Sequence, residues 1–491
     1  MNNQRTFALL FLFAALLIVS DSCNRSTSTD NSLPNIILIF ADDLGYGDLA
    51  SYGALDILTP NLDRMAREGM RFTNFLSAHG SCSASRAALL TGCYPSRISI
   101  PGVFNPNSRS GLNSNETTIA ELLKQKGYAT AVFGKWHLGH LEPFLPLQHG
   151  FDEYMGIPYS NDMWPVDYDG GPITENSVNP SKANYPPLPL IEGNEKIKEL
   201  GSLADQDMLT TLYTERAVKF IEEHKDQPFF LYLPHSMVHV PLGVSDKFRG
   251  KSRQGLYGDV VMELDWSVGE ILSTLERNNL IDNTLVIFTS DNGPWINYGN
   301  HAGSTGGLKE GKGTSMEGGV REPCIMHWPG IIPEGVIANQ LASTIDILPT
   351  LAEITGTILP DHKIDGVSIL PVLKGNNESG PRKSFYYYYE SSLEGVRQGS
   401  WKLVLAHPHR SYLNVLPANN GFPGPYSKGV ADYALYDLRR DPGEQYNVLD
   451  LYPELVQQLE KIAAEAREDI GDRLTGYPGK NRRPAGSAEG R

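Results

Sequence analysis

The segment Asn35-Ile36-Ile37-Leu38-Ile39-Phe40-Ala41-Asp42-Asp43 carries the strongest architectural signal in this chain. Its short apolar run is typical of a strand buried on both faces of a parallel sheet, and two carboxylates follow it directly. Similar runs occur at residues 130–133, 229–233 and 285–289, with helical patterns between strands at residues 60–68, 117–125, 209–223 and 259–280. This alternation predicts an α/β fold with a large, mostly parallel sheet sandwiched by helices.

The pattern changes after about residue 375. Short strand-like runs at residues 385–389, 395–397, 401–406 and 433–437 precede a helical pattern at residues 453–468. We therefore expect a larger domain at residues 33–375 and a smaller C-terminal α+β subdomain on a short antiparallel sheet at residues 376–491. Residues 417–428 are expected to form a loop, and the tail from Thr475 is expected to be mobile.

The composition is that of an acidic globular protein. The 491 residues carry a formal net charge of -15, and 40% of them are hydrophobic. Nucleic acid is not an expected partner, because phosphate binding needs a concentrated basic surface. An anionic substrate would therefore have to meet a local cluster of Lys and Arg.

The first residues are typical of an export signal. Arg5 precedes an apolar run at residues 7–19, which is shorter than a membrane-spanning helix. We expect a signal peptide at residues 1–23, a polar tether at 24–32 and a periplasmic or cell-surface location. Ser20-Asp21-Ser22-Cys23 resembles a bacterial lipoprotein signal, so both lipidation of Cys23 and simple cleavage stay open, and any membrane contact would be through that anchor.

Polar side chains follow each of the four predicted parallel strands. They are Asp42-Asp43, then Lys135 and His137, then His235 and His239, and finally Asp291-Asn292. The carboxyl ends of parallel strands meet at one edge of an open α/β sheet, where ligands bind. We therefore expect these residues to form one site.

Two kinds of chemistry are present in the predicted site. Asp42, Asp43, Asp291 and Asn292 offer only oxygen ligands, which favours Ca²⁺ first and Mg²⁺ second. Positive charge for an anionic substrate would come from Lys135, Lys312 and Arg86, and the histidines could transfer protons near neutral pH.

The motifs that carry this chemistry resemble those of one family. Cys82-Ser83-Ala84-Ser85-Arg86 has a cysteine two residues before alanine and four before arginine. Further motifs are Gly311-Lys312-Gly313-Thr314, Tyr257-Gly258-Asp259 and the residues at the strand ends. Together these motifs resemble those of the type I sulfatases of the alkaline phosphatase superfamily, and they occur in the same order over nearly the whole mature chain. Within that family the sequence resembles the arylsulfatase A and N-acetylgalactosamine-6-sulfatase groups.

The resemblance implies that a maturation enzyme oxidises Cys82 to Cα-formylglycine (3-oxoalanine). One hydroxyl of its hydrate would attack sulfur, and the other would later expel sulfate. The implied metal ligands are Asp42, Asp43, Cys82, Asp291 and Asn292, and the cation and Asp291 would deprotonate residue 82. Lys135 and Lys312 would bind sulfate, and His137 and His239 would transfer protons. Arg86 would hold residue 82 in place. His235 is an alternative to His239. The sequence departs from the family at Cys93, where an arginine is common after Thr91-Gly92.

The implied substrate is an aryl sulfate or a sulfated saccharide, and family analogy favours galactose or N-acetylgalactosamine sulfates. Residues 295–301 and 161–164 could contact sugar or could be ordinary loop packing. Two other classes stay open: a phosphodiesterase or phosphonate monoester hydrolase of the same superfamily, and an unmodified, non-catalytic glycan-binding surface lipoprotein. Cys93 and Cys324 could form a disulfide, although two buried thiols are favoured.

Overall fold

The computed structural model describes residues 33–376 and 380–488. The predicted signal peptide, Cys23 and the tether lie outside the described residues. The strands are β1 Asn35–Ala41, β2 Met70–Phe72, β3 Phe75–Leu76, β4 Ser110–Gly111, β5 Ala129–Lys135, β6 Glu153–Ile157, β7 Leu188–Glu192, β8 Glu195–Leu200, β9 Phe229–Pro234, β10 Thr284–Ser290, β11 Cys324–His327, β12 Val336–Ala338, β13 Ala342–Ser343, β14 Ser384–Tyr389, β15 Ser392–Gln398, β16 Trp401–Val404, β17 His407–Ser411, β18 Ser427–Ala431, β19 Ala434–Asp437 and β20 Gly486–Ser487. The α-helices are α1 Pro60–Arg67, α2 Cys82–Thr91, α3 Ile119–Lys124, α4 Leu203–Gln206, α5 Leu209–Glu223, α6 Gly255–Arg277, α7 Glu317–Val320, α8 Ile347–Thr355, α9 Leu370–Leu373 and α10 Pro453–Asp469.

The largest sheet has ten strands in the order β12-β2-β11-β10-β1-β9-β5-β6-β7-β8. Its five central strands, from β10 to β6, are all parallel. Antiparallel pairs join β11 and β7 to this centre. The predicted α/β fold with a mostly parallel sheet is therefore confirmed.

Both faces of the sheet are covered, as the continuous apolar character of β1 predicts. Leu38 of β1 belongs to a buried cluster with Leu89 of α2 and Leu348 of α8. The next residue, Ile39, belongs to a second buried cluster with Leu264 of α6. Because successive side chains of a strand point to opposite faces, the sheet is sandwiched between two helical layers.

Strand β6 was not predicted from the sequence. It contains Gly156, and a Cβ atom at that position would lie 1.8 Å from the carbonyl oxygen of Gly134 on the neighbouring β5. The close approach of β6 to β5 therefore requires glycine at position 156. Glycine is a poor strand former, so it weakens the sequence pattern by which β6 could be predicted. β6 adds a fifth parallel strand to the centre of the sheet.

The C-terminal part contains the predicted antiparallel sheet, in the order β14-β15-β16-β19, with α10 packed on it. The predicted loop ends earlier than expected, because β18 begins at Ser427 and pairs with β17. The residues from Leu33 onward form one compact unit, and the division at residue 375 stays a prediction.

The prediction of a mobile tail is wrong as far as Ala488. Strand β20 pairs with β4, and Arg483 makes an ion pair with Glu116 at 2.7 Å. Cys93 and Cys324 are buried free thiols, which confirms the favoured interpretation. Within the described ranges, we found no helix with the length and apolar character needed to cross a bilayer.

Candidate active site

The register of the parallel strands brings two acidic segments together. Ala41 at the end of β1 pairs with Ser290 at the end of β10. Asp42-Asp43 and Asp291-Asn292 therefore emerge side by side, and the backbone N–H of Asp43 donates to Oδ1 of Asp291 at 3.1 Å. All four residues are buried.

Cys82 is the first residue of α2 and is buried beside these acids. Its Sγ lies 3.5 Å from Oδ1 of Asp42. Burial raises the pKa of the Cys82 thiol, so an unmodified cysteine stays protonated and is a weak nucleophile here. A group at this position also lies at the positive end of a helix dipole, which stabilises negative charge.

Arg86 ties α2 to two strand ends. Its Nε and Nη2 lie 3.1 Å and 2.9 Å from Oδ2 of Asp291. Its Nη1 donates to the backbone oxygen of Lys135 at 2.9 Å. The side chain is fully buried, so it fixes the helix that starts at Cys82 against the ends of β10 and β5.

Each of the first two aspartates has its own lysine. Nζ of Lys135 contacts Oδ2 of Asp42, and Nζ of Lys312 lies 2.7 Å from Oδ1 of Asp43. Burial favours the neutral form of Asp42, but Lys135 and Arg86 outweigh it and hold its pKa well below the usual range. At Asp43 burial outweighs Lys312 and raises the pKa to about 7.

The acidic cluster fits a metal site. Ligand atoms of Asp42, Asp43, Cys82 and His239 lie within 4.8 Å of one another. Nδ2 of Asn292 donates to Asp43 at 2.7 Å, while its Oδ1 is buried without a hydrogen-bond partner among the described residues. An orphaned buried oxygen is costly unless a donor or cation meets it, so the carboxylates of Asp42 and Asp43, together with Oδ1 of Asn292, fit an oxygen-coordinated cation.

His137 follows β5 in a left-handed backbone conformation, with φ 61°. Its Nε2 lies 2.8 Å from the carbonyl oxygen of Phe104, so this nitrogen carries the proton. Burial and the charges of Lys135 and Arg86 hold its pKa well below the usual value. The ring is therefore neutral, and Nδ1 is a buried acceptor without a partner in the described part of the chain.

The structure distinguishes the two candidate histidines after β9. Nε2 of His239 lies 3.7 Å from Oδ2 of Asp43, whereas His235 contacts Ser267 on α6 at 3.2 Å. His239 is thus the histidine at the site. Burial, with Lys312 and Lys135 nearby, lowers its pKa to about 3.

Two residues of the site were missed by sequence reasoning. Ser160 accepts a hydrogen bond from Lys135 at 3.1 Å and lies 3.5 Å from His239 Nε2. Because it follows the unpredicted strand β6, no signal marked it. Asp48 accepts from the N–H groups of Gly45 and Ser304, both at 2.7 Å, and so holds the loop after Asp43.

The two segments considered for sugar contact differ in exposure. Trp295 is partly exposed, and Nζ of Lys312 lies 4.4 Å from its ring centre. Trp164 is buried, and Asn161 is bonded to Gln206 at 3.1 Å. Trp295 therefore faces the site, while Trp164 and Asn161 are packing residues.

Comparisons with known proteins agree on one family. The family model described as sulfatase matches residues 34–357, and two C-terminal models match residues 312–410 (N-sulphoglucosamine sulphohydrolase, C-terminal) and 380–482 (C-terminal region of aryl-sulfatase). Arylsulfatase A of Bos taurus is 40% identical, covering 88% of each chain, and N-acetylgalactosamine-6-sulfatase of Canis lupus familiaris is 35% identical, covering 95% of this chain and 91% of that protein. The crystal structure of PsFucS1 sulfatase from Pseudoalteromonas sp. has a TM-score of 0.81 at 29% identity, covering 92% of both chains.

A phosphonate monoester hydrolase of Agrobacterium radiobacter also resembles the chain, with a TM-score of 0.58 at 19% identity over 88% of this chain and 95% of that one. At this identity the similarity shows the shared fold alone. It does not favour the phosphonate alternative.

Replacing Arg86 tests the charge balance of the site. We expect Arg86→Met to lower the free energy of unfolding by about 3 kcal/mol or more, because the Asp291 carboxylate stays buried without its cation. Arg86→Lys should recover only part of this loss, since one ammonium cannot reach both Asp291 and the Lys135 carbonyl. Denaturant unfolding measures the difference.

The matched control is Lys225→Ala, which removes an exposed cation just before β9, at the opposite edge of the sheet. It should change the free energy of unfolding by less than about 0.5 kcal/mol. An Arg86→Met protein as stable as the control would contradict the assigned role.

Proposed function

Because the chain belongs to the sulfatase family and is a sulfuric ester hydrolase, we propose that it removes sulfate from a sulfated glycan with a formylglycine made from Cys82. The observation that carries the proposal is the setting of Cys82. It starts a buried helix beside Asp42, and two lysines and two histidines surround the same acids.

Formylglycine would solve a chemical problem that a thiol or serine cannot. A hydrated aldehyde carries two hydroxyls. The oxygen of one attacks sulfur while the bond from sulfur to the sugar oxygen breaks, and the second hydroxyl then loses its proton as the aldehyde carbonyl re-forms and sulfate leaves. Cys82, Ala84 and Arg86 provide the pattern that a maturation enzyme would recognise.

A calcium ion is the cofactor that we propose for the acidic cluster. Asp42, Asp43, Asp291, Asn292 and residue 82 would hold it. Ligand atoms of Asp42, Asp43 and Cys82 lie within 4.8 Å of one another, with His239 beside them, and the oxygen ligands of the three acids and the amide support Ca²⁺ over Zn²⁺. When bound, the ion would supply positive charge to the sulfate oxygens and to the attacking hydroxyl.

Residue 82 needs a proton acceptor before it attacks. Our expectation from the sequence was Asp291, but both of its oxygens are already engaged, by the N–H of Asp43 and by Arg86. Asp42 is the carboxylate in contact with Cys82 Sγ, through its Oδ1, while its Oδ2 contacts Lys135. We therefore propose Asp42 as the nearer acceptor, with Asp291 in a supporting role.

The lysines and histidines would complete the reaction. Lys135 and Lys312 are buried cations that can neutralise sulfate oxygens in the transition state. His137, neutral and with a free Nδ1, is suited to take the proton of the second hydroxyl. His239 is neutral here, because burial lowers its pKa to about 3, so it would protonate the leaving oxygen by passing on a proton from Lys312, which contacts the same carboxylate.

The proposed substrate is a sulfated galactose or N-acetylgalactosamine within a glycan. The partly exposed ring of Trp295 could stack on a sugar beside Lys312. The name of the relative N-acetylgalactosamine-6-sulfatase supports this sugar class. We also propose export to the periplasm or cell surface, with Cys23 as a lipid anchor or as the cleavage boundary.

Side-by-side turnover of 4-nitrophenyl sulfate and bis(4-nitrophenyl) phosphate tests the reaction class. We expect matured wild-type protein to prefer the sulfate. Cys82→Ala should lose at least about a thousandfold in sulfate kcat while its melting temperature stays within a few degrees, because the nucleophile is removed and the fold is not. A preference for the diester, or a Cys82→Ala enzyme that retains sulfate turnover, would refute the proposal.

The role of His239 can be tested with two leaving groups. A sugar alkoxide needs a proton as it departs, whereas nitrophenolate does not. We expect His239→Ala to lose about a hundredfold or more in kcat/KM on a sugar sulfate and less than about tenfold on 4-nitrophenyl sulfate. Equal losses on both substrates would indicate that His239 only shapes the site.

A further inference from the structure

A cavity lies beside the proposed active site. It has a volume of about 330 Å³, and its lining includes Gly313, Tyr389, Arg410, Tyr426 and Lys428. Arg410 belongs to β17 and Lys428 to β18. We call it the Arg410–Lys428 cavity.

Residues that line or adjoin this cavity are connected to the proposed catalytic residues through the chain, hydrogen bonds and a ring contact. Gly313 follows Lys312 in the chain, and its N–H donates to the carbonyl oxygen of Gly80 at 2.7 Å, two residues before Cys82. The hydroxyl of Tyr412, at the end of β17, donates to the carbonyl oxygen of Lys312 at 2.7 Å. The ring of Tyr389 stacks on His79 at 5.1 Å. A ligand group in the cavity would therefore lie in a fixed position relative to the site.

The two cations of the cavity lie directly opposite each other. Arg410 pairs with Lys428 in the register of the β17–β18 hairpin. Like charges at directly opposed positions destabilise a strand pair. Neither side chain forms an ion pair with any residue in ranges 33–376 and 380–488.

The two acids that line the cavity form no ion pair with Arg410 or Lys428 among the described residues. Glu390 pairs with Arg473 at 3.2 Å, and burial raises the pKa of Glu394 to about 8, which favours its neutral form. The guanidinium of Arg410 lies over the ring of Tyr426, 4.7 Å from its centre, and donates a hydrogen bond of 3.5 Å to the hydroxyl of Tyr412. The cavity thus holds two cations whose charge is not met by a described carboxylate.

We propose that the Arg410–Lys428 cavity is an anion subsite, which binds a second negatively charged group of the glycan while the first sulfate is cleaved. The proposal rests on the proposed function. The second group is a sulfate or a uronate carboxylate, because a planar guanidinium can bind either with two parallel hydrogen bonds. A Cβ at Gly313 would lie 2.8 Å from Nη1 of Arg410, so glycine leaves room for the guanidinium there.

Binding to the inactive Cys82→Ala enzyme tests the subsite without turnover. Calorimetry would compare three probes: N-acetylgalactosamine 6-sulfate, a carrageenan tetrasaccharide whose only anions are sulfates, and a chondroitin 6-sulfate tetrasaccharide that also carries carboxylates. We expect Arg410→Ala to lower the affinity for at least one tetrasaccharide, relative to the monosaccharide, by about tenfold. Added salt should reduce this difference. The Lys225→Ala control should leave the ratio unchanged.

The pattern of losses identifies the group. Loss with the carrageenan probe assigns a sulfate, and loss with the chondroitin probe alone assigns a carboxylate. An unchanged ratio, equal loss on all three probes, or no binding of either tetrasaccharide would overturn the subsite. If the tetrasaccharides bind and Arg410→Ala lowers their affinity, but the matured wild-type enzyme cleaves no sulfate ester, the proposed function fails and the subsite stands.

Discussion

The pairing of three buried aspartates with three buried cations is the constraint on which the rest of the site depends. Asp42 contacts Lys135, Asp43 contacts Lys312, and Asp291 contacts Arg86. A buried charge without its partner would lower the free energy of unfolding by several kcal/mol. The folded protein therefore needs all the segments that carry these charges in place: the ends of β1, β5 and β10, the start of α2 and the Lys312 loop. In the proposed function, Lys135 and Lys312 would also supply positive charge to the sulfate oxygens.

Sequence reasoning predicted the parts of the site that depend on strand ends. Asp42, Asp43, Lys135 and Asp291 follow strands whose apolar runs are clear, and parallel strands deliver their ends to one edge. It missed Ser160, since β6 needs Gly156 for a close approach to β5 and so lacks a strand pattern. It assigned His239 only through the family resemblance and kept His235 as an alternative. The two histidines are four positions apart, and only the path of the chain after β9 places His239 near Asp43 and His235 near Ser267.

The charge distribution connects the active site with the C-terminal part of the chain. The protein is acidic overall, with a net charge of -15, yet the proposed active site holds three buried cations, Arg86, Lys135 and Lys312. Lys135 and Lys312 are buried among acids, whereas Arg410 and Lys428 form no ion pair with a described residue, although Glu390 and Glu394 also line their cavity. Such a pattern suits a polyanionic glycan: the buried pair would neutralise the reacting sulfate, and the cavity would favour chains that carry further charge.

The central claim is that residue 82 is a formylglycine in the active protein. Mass spectrometry of the proteolytic peptide that contains Cys82, from protein made in its own host, measures this directly. We predict a peptide about 18 Da lighter than the cysteine form, because a carbonyl oxygen replaces the thiol and a hydrogen, and a modified fraction that rises in proportion to sulfate turnover across preparations. Fully active protein whose peptide carries an unmodified thiol would contradict the account.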